Sequence, residues 1–275
     1  LISSELFKFP QDLNEALIRQ PPDMLCMTNF CWNINLSYAF VEYVKKVNPN
    51  VITVFGGPNF PIDVVERESF LRDHPYLDFY IKWDGEIAFV NLFRKLAELN
   101  FDINLFKKNK TISENCCYVH GADYIEGPDH RAPDLAALPS PYLDGIFDEF
   151  FGLNLQPWIE TTRGCPYACT FCNSPEKNVL YDDQNAGDFF RKRTMKNVHT
   201  ELKELVEKYR IEYIFFVTDT FLAMSDREFD EFCEMYSEFK LPFFMNTRPE
   251  TITEYRAKKL KEVNCSRVNI GIEHG

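Results

Sequence analysis

The sequence predicts an α/β protein made of two consecutive units, and three observations carry that reading. Short apolar strands alternate with amphipathic helices through the first hundred or so residues, a proline-rich stretch interrupts them, and the alternation restarts at "LQPWIETT" (155–162). Alternation of this kind implies parallel sheets with crossover helices. In such sheets ligands sit beyond the carboxyl ends of the strands. A chain of 275 residues has room for two ordinary domains.

In the first unit, "DLNEALIR" (12–19) is a short amphipathic piece closed by Gln20-Pro21-Pro22. "DMLCMTNF" (23–30) is short, apolar and bounded by Pro and Asn, as a buried strand is. Phe40, Val41, Val44 and Val47 make a helical stripe in 37–49, ended by Pro49. "NVITVFGGPNF" (50–60) is a β-branched strand running into Gly56-Gly57-Pro58, and "YLDFYIKWDGE" (76–86) is a third strand followed by the helical pattern "IAFVNLFRKLAEL". Residues 104–127 read as a hairpin-like excursion around "CCYVHGADYIEG".

Pro128, Pro133, Pro139 and Pro141 then mark a semi-rigid linker. The expected division is 1–127, a linker over 128–150, and a second unit over 151–275. That second unit carries a cysteine loop after its first strand, then helix 197–209, strand "IEYIFFVTDTF", helix 225–239 with Ser225 as N-cap and Glu228 three later, strand "PFFMNTRPE", helix 253–263 and strand "SRVNIGIEHG". Four such strands are too few to close a barrel. The chain opens on Leu1 rather than Met, so a fragment is expected.

Composition narrows the function. Hydrophobic residues make up 45% and charged residues 26%, in the range of soluble domains, and no segment has the length and apolarity of a membrane span. No signal-peptide pattern opens the chain, which points to a cytoplasmic location. Asp and Glu outnumber Lys and Arg 42 to 30, for a net charge of −12, so nucleic acid is a poor partner and a small-molecule substrate a better one. Nine cysteines, an odd number, favour a reducing compartment and metal ligation over disulfides.

Three of the nine stand close together in "RGCPYACTFC": Cys165, Cys169 and Cys172. The loop follows a strand, where chemistry belongs in an α/β sheet. Gly164 and Pro166 shape the backbone around Cys165. Iron–sulfur clusters are held by thiolates, and three of them leave one iron of a cubane open. Two other readings stay open on the residues alone: a zinc site completed by a distant His or Cys, and unconnected buried thiols.

Cys165-x3-Cys169-x2-Cys172, with Phe171 before the last cysteine and "TTRGCPYACTFC" around it, resembles the radical S-adenosylmethionine (radical SAM) enzymes. The resemblance implies a [4Fe–4S] cluster on the three cysteines, with S-adenosylmethionine chelating the open iron and cleaved reductively to a 5′-deoxyadenosyl radical. It implies a partial (β/α)6 barrel, of which this chain supplies the first four strands. By position, the cofactor's contacts would be Phe171, Asp219 at the end of the second strand, Arg248 at the end of the third and Glu273 at the end of the fourth. An external one-electron reductant of the flavodoxin or ferredoxin type is the implied partner.

The first unit resembles the Rossmann-like cobalamin-binding domain of the class B members of that family. Thr28 and Phe30 stand at the end of its second strand, Gly56, Gly57 and Pro58 at the third-strand glycine turn, and Gly85 and Glu86 at the fourth-strand turn. The first-strand Asp-x-His-x-x-Gly signature is absent, and none of the five histidines precedes "DMLCMTNF". The first strand is therefore expected to be missing from this chain, or the cobalt to take no protein histidine. Together the resemblances imply a radical SAM enzyme using cobalamin, with methyl transfer to an unactivated centre one candidate reaction beside the ring contraction, cyclisation and oxidation that other members of the class perform. They identify no catalytic residue. The alternatives are a methylthiotransferase-like enzyme holding a second cluster in its first unit, for which Cys26, Cys31, Cys116 and Cys117 are poorly spaced, and a non-catalytic metal-binding fragment.

Overall fold

A computed structural model describes residues 7–132, 134–153, 156–167, 169–172 and 189–273. The chain divides into two compact units between Ala132 and Pro133, inside the proline-rich stretch. Both are α/β with parallel strand pairing.

The first unit runs α1 (Pro10–Arg19), β1 (Met24–Thr28), α2 (Ile34–Val47), β2 (Ile52–Gly56), α3 (Val64–Asp73), β3 (Phe79–Ile81), α4 (Gly85–Glu98), α5 (Ile103–Lys108), β4 (Cys116–His120) and β5 (Asp123–Glu126). Its sheet has the order β1-β2-β3-β4-β5. The first three strands are parallel, and the β4–β5 hairpin adds antiparallel to β3. Both faces are covered, which is why the strands read as continuous apolar runs. Phe55 and Tyr80 pack with Phe40, Val41 and Val44 of α2 and Leu71 of α3 on one face. Val54, Phe79 and Ile81 pack with Ala88, Leu92 and Leu96 of α4 and Phe106 of α5 on the other.

Two elements here depart from the sequence reading. The segment 104–127 is a short helix, capped by the Asp102 carboxylate on the Leu105 amide at 2.9 Å, and then a hairpin that extends the main sheet. Helix α3 gave no readable stripe, because Val64 and Val65 are exposed and only Arg67 and Leu71 are buried. Its start is written in Asp63, whose carboxylate accepts from the Val65 and Glu66 amides.

The second unit contains β6 (Trp158–Ile159), β7 (Thr162–Arg163), β8 (Arg191–Lys192), α6 (Met195–Tyr209), β9 (Ile214–Phe216), α7 (Asp226–Tyr236), β10 (Phe243–Thr247), α8 (Glu254–Glu262) and β11 (Cys265–Ile270). Strands β6, β9, β10 and β11 pair in that succession, every pair parallel. One face carries the core: Ile159, Ile214, Phe216, Phe243 and Met245 against Val198, Leu202 and Leu205 of α6 and Phe229, Phe232 and Tyr236 of α7. On the alternate positions Trp158 is exposed, and Phe215 and Phe244 lie half-buried with ring centroids 5.5 Å apart. The expected capping box at Ser225 is present, with the Ser225 hydroxyl on the Glu228 amide and the Glu228 carboxylate on the Ser225 amide. Strands β7 and β8 form a small antiparallel clip that the sequence did not announce. Among the described residues no helix is long and apolar enough to cross a membrane.

Candidate functional site

The carboxyl ends of β9, β10 and β11 open onto one pocket of about 520 Å³, and the cysteine loop forms its other wall. Cys165, Cys169 and Cys172 all line it, as do Phe171, Asp219, Arg248 and Glu273. The second unit thus brings every residue expected there into one space. Thr218, Asn246 and Asn269 line it too and were not singled out from the sequence. Thr218 is buried, and its Oγ1 has no hydrogen-bond partner. A buried hydroxyl without a protein partner on a pocket wall is available to pair with a polar ligand atom or water, because leaving it unpaired is unfavourable.

Local chemistry builds the cysteine loop. Glu160 Oε2 accepts from Arg163 Nη2 at 3.0 Å, and the β7–β8 pairing fixes the chain before Gly164. Gly164 has φ +83°, and a Cβ there would fall 2.3 Å from the Phe189 carbonyl oxygen, so only glycine fits the entry. The Cys172 amide donates to the Cys169 carbonyl at 3.1 Å, a tight turn between the second and third thiols. Cys165 is buried, with Sγ 3.5 Å from Thr220 Oγ1.

The opposite wall is held from below. The Phe221 amide donates to the Asn246 carbonyl at 2.8 Å, joining the turn after Asp219 to β10. Arg256 of α8, which is buried, sends Nη1 to the Leu222 and Thr251 carbonyls at 2.9 and 3.2 Å and Nη2 to the Met224 carbonyl at 2.6 Å. That brace was invisible in the sequence, where Arg256 is one of several cations on a polar helix. Glu273 has φ +57° and folds back over Gly271. His274 lies outside the described residues.

Among the described residues no three His, Cys, Asp or Glu side chains converge as a single metal ion requires. The three thiols line one shared space, and thiolates are the ligands that hold iron–sulfur clusters.

Residues 159–275 match the family model described as the radical SAM superfamily. The match lies within the second unit and covers less than half of the chain, so it is that part which resembles the radical SAM enzymes. The match implies a [4Fe–4S] cluster and S-adenosylmethionine as cofactors. Over 171 residues the chain is 32% identical to the cobalamin-dependent radical SAM methyltransferase TokK of Streptomyces tokunonensis, covering 59% of this chain and 23% of that enzyme. It is 33% identical over 160 residues to a 2-(S-pantetheinyl)-carbapenam-3-carboxylate methyltransferase of Streptantibioticus cattleyicolor, covering 55% and 22%. An uncharacterised methyltransferase of Pyrococcus horikoshii matches at 27% over 95% of this chain and 54% of its own length. The chain therefore spans roughly a quarter to a half of these relatives. Among solved structures, the cobalamin-dependent S-adenosylmethionine radical enzyme OxsB superposes with TM-score 0.62 at 18% identity over 96% of this chain and 37% of its own. The methyltransferase TsrM of Kitasatospora setae gives 0.61 at 15% over 97% and 51%. These two show a shared fold.

The first unit has its own pocket, of about 310 Å³, at the carboxyl ends of β1, β2 and β3. Thr28, Phe30, Gly56, Gly57 and Gly85 line it, together with Cys26, Met27, Val54, Phe55, Ile81, Trp83 and Phe89. Pro58 and Glu86 flank these residues in sequence without lining the pocket. Gly57 has φ +129°, and a Cβ on it would meet the Asn29 carbonyl oxygen at 2.6 Å, so only glycine fits the turn packed against Asn29. Asn29, fully buried, is the staple the sequence reading missed. Its Nδ2 donates to the Asn59 carbonyl at 2.7 Å and to Tyr80 Oη at 3.0 Å, and Tyr80 Oη donates in turn to the Gly57 carbonyl at 2.9 Å.

The remaining cysteines are not arranged as a second ligand set. Cys116 and Cys117 are buried neighbours in β4, and burial pushes the Cys117 thiol up to about 12 and Cys116 well above its ordinary value. Such thiols are inert. Cys26 and Cys31 are exposed.

Proposed function

We propose that this chain is the cofactor-binding part of a cobalamin-dependent radical SAM methyltransferase, with its first unit a Rossmann-like cobalamin-binding domain and its second the first four strands of a partial (β/α)6 barrel. The observation that carries the reading is the gathering of Cys165, Cys169 and Cys172 with Asp219 and Glu273 around one pocket at the strand ends. Names of the relatives, two of them cobalamin-dependent or carbapenam methyltransferases, favour methyl transfer to a small molecule.

When bound, the cluster supplies the electron that cleaves the sulfonium of S-adenosylmethionine, and cobalamin supplies the methyl group. The residues of the chain hold and orient. The Cys165, Cys169 and Cys172 thiolates would hold the cluster and leave one iron open to the amino acid end of S-adenosylmethionine. The Asp219 carboxylate receives that ammonium, the Thr218 hydroxyl a second polar atom of the same ligand, and Glu273 the ribose hydroxyls. Phe171 supplies an apolar surface beside the cluster. In the first unit the bare backbone of Gly56 and Gly57 admits the nucleotide tail of cobalamin, and Phe30 and Trp83 wall it. The electron would have to come from an external one-electron donor of the flavodoxin or ferredoxin type.

The test is anaerobic reconstitution of the chain followed by iron, sulfide and visible-spectrum analysis. About four irons and four sulfides per chain, with a separate corrin absorbance, are expected. Cys169→Ala is expected to abolish reductive cleavage of S-adenosylmethionine while leaving the first unit folded and its corrin absorbance in place. Zinc without sulfide, or 5′-deoxyadenosine from the Cys169→Ala protein, sinks the reading.

A further inference from the structure

A guanidinium lies against one of the three thiols. Arg248 Nη1 donates to Cys169 Sγ at 2.6 Å, and its Cζ lies 4.3 Å from the centroid of the Tyr167 ring. The other edge of the fork is occupied: Nε donates to Glu250 Oε1 at 2.6 Å, and Nη2 pairs with the same oxygen. The turn that presents it is tied off by Thr251 Oγ1, which donates to the Arg248 carbonyl at 2.7 Å. Tyr167 and Cys169 belong to the cysteine loop, Arg248 and Glu250 to the turn after β10. An arginine placed only to receive a cofactor carboxylate would turn its fork to the open pocket. This one has Nε, Nη1 and Nη2 each engaged within the protein and its flat face stacked.

We propose that Arg248 is a positioning residue for the cluster: its Nη1 hydrogen bond to the Cys169 sulfur, aimed by the Tyr167 stack and the Glu250 pair, orients that ligand and raises the cluster's reduction potential. The inference rests on the cluster reading above. Its physics is directional. Adding an electron places more negative charge on the ligand sulfurs, so an N–H aimed at one of them stabilises the reduced state more than the oxidised one. Glu250 offsets most of the guanidinium charge, which leaves the hydrogen bond as the acting element. Lysine keeps the charge but has neither the planar fork nor the stacking face.

Redox titration of the reconstituted chain tests this, on unaltered protein, Arg248→Gln and Arg248→Lys, after iron and sulfide have been counted in each. Arg248→Gln is expected to keep its irons and to titrate lower, the oxidised-to-reduced ratio at a fixed ambient potential rising about tenfold, or about 59 mV for one electron. Arg248→Lys falls between the two. If Arg248→Gln loses its cluster, the lysine variant carries the same comparison. Unchanged potentials in loaded variants overturn the proposal, and weaker S-adenosylmethionine binding as their sole change would return Arg248 to the cofactor carboxylate. A chain that assembles no cluster in its unaltered form overturns the cluster reading itself, a result recognisable before any titration.

Discussion

Replacing Arg256 by methionine isolates how the pocket's floor is held. Methionine retains an apolar stem of similar length over the Phe229 ring, which the guanidinium carbon faces at 5.6 Å, so packing is largely kept. What goes is the set of donors to the Leu222, Met224 and Thr251 carbonyls. The ion pair to Asp226 contributes little to the difference, because that carboxylate is 68% exposed and rehydrates when freed. Three carbonyls left without their donor, at about 1 kcal/mol each, predict a loss of about 3 kcal/mol. For a unit of this size that lowers the melting temperature by roughly 6–12 °C. Differential scanning calorimetry reads it, provided the transition of the second unit is separated from that of the first, since two units need not melt together. Amide hydrogen exchange at Phe221, whose bond to the Asn246 carbonyl closes the turn after Asp219, should accelerate in parallel. A melting shift under about 2 °C with unchanged Phe221 exchange would mean that water replaces the guanidinium at all three carbonyls, and the bracing role would be refuted.

Two further outcomes are expected. Gly57→Ala places a Cβ 2.6 Å from the Asn29 carbonyl oxygen at φ +129°; strain of about 1–3 kcal/mol is expected to displace the Gly-Gly turn. Corrin absorbance should fall while iron content stays constant, and equal corrin retention would count against the first pocket as its site. In the second unit, the Lys192 ammonium, backed by the Ser225 amide and hydroxyl, holds the Glu228 carboxyl down at about 2 from an ordinary 4.5. A depressed carboxyl contributes stability above its unfolded value and loses it as pH falls from about 4.5 towards 2; with the pair partly in solvent, about 1 kcal/mol is at stake. Urea midpoints measured across that range should fall less steeply in Glu228→Gln, and parallel curves would rule the contribution out.

Local signals in the chain were enough for much of this. The continuous apolar run in "NVITVFGG" and the helical stripe in "NVHTELKELVEKY" place a strand and a helix close to β2 and α6, because a strand buried on both faces and a helix buried on one leave distinct patterns. Helix α3 escaped for the converse reason: it buries so little apolar surface that no stripe exists to read. The β7–β8 clip escaped because two-residue strands have no period.

By itself the sequence determined the chemistry on offer, three thiols at a fixed spacing and glycines where a Cβ would collide, because ligand type and backbone freedom belong to residues one at a time. Tertiary structure alone decided which of these meet. Asp219, Arg248 and Glu273 share a pocket with the thiols because parallel pairing aligns the carboxyl ends of β9, β10 and β11 on one rim. Arg256 reaches across 34 residues to Leu222, and Arg248 across 79 to Cys169. Contacts at such separations are set by how the sheet and its helices pack, and no local pattern in the chain encodes them.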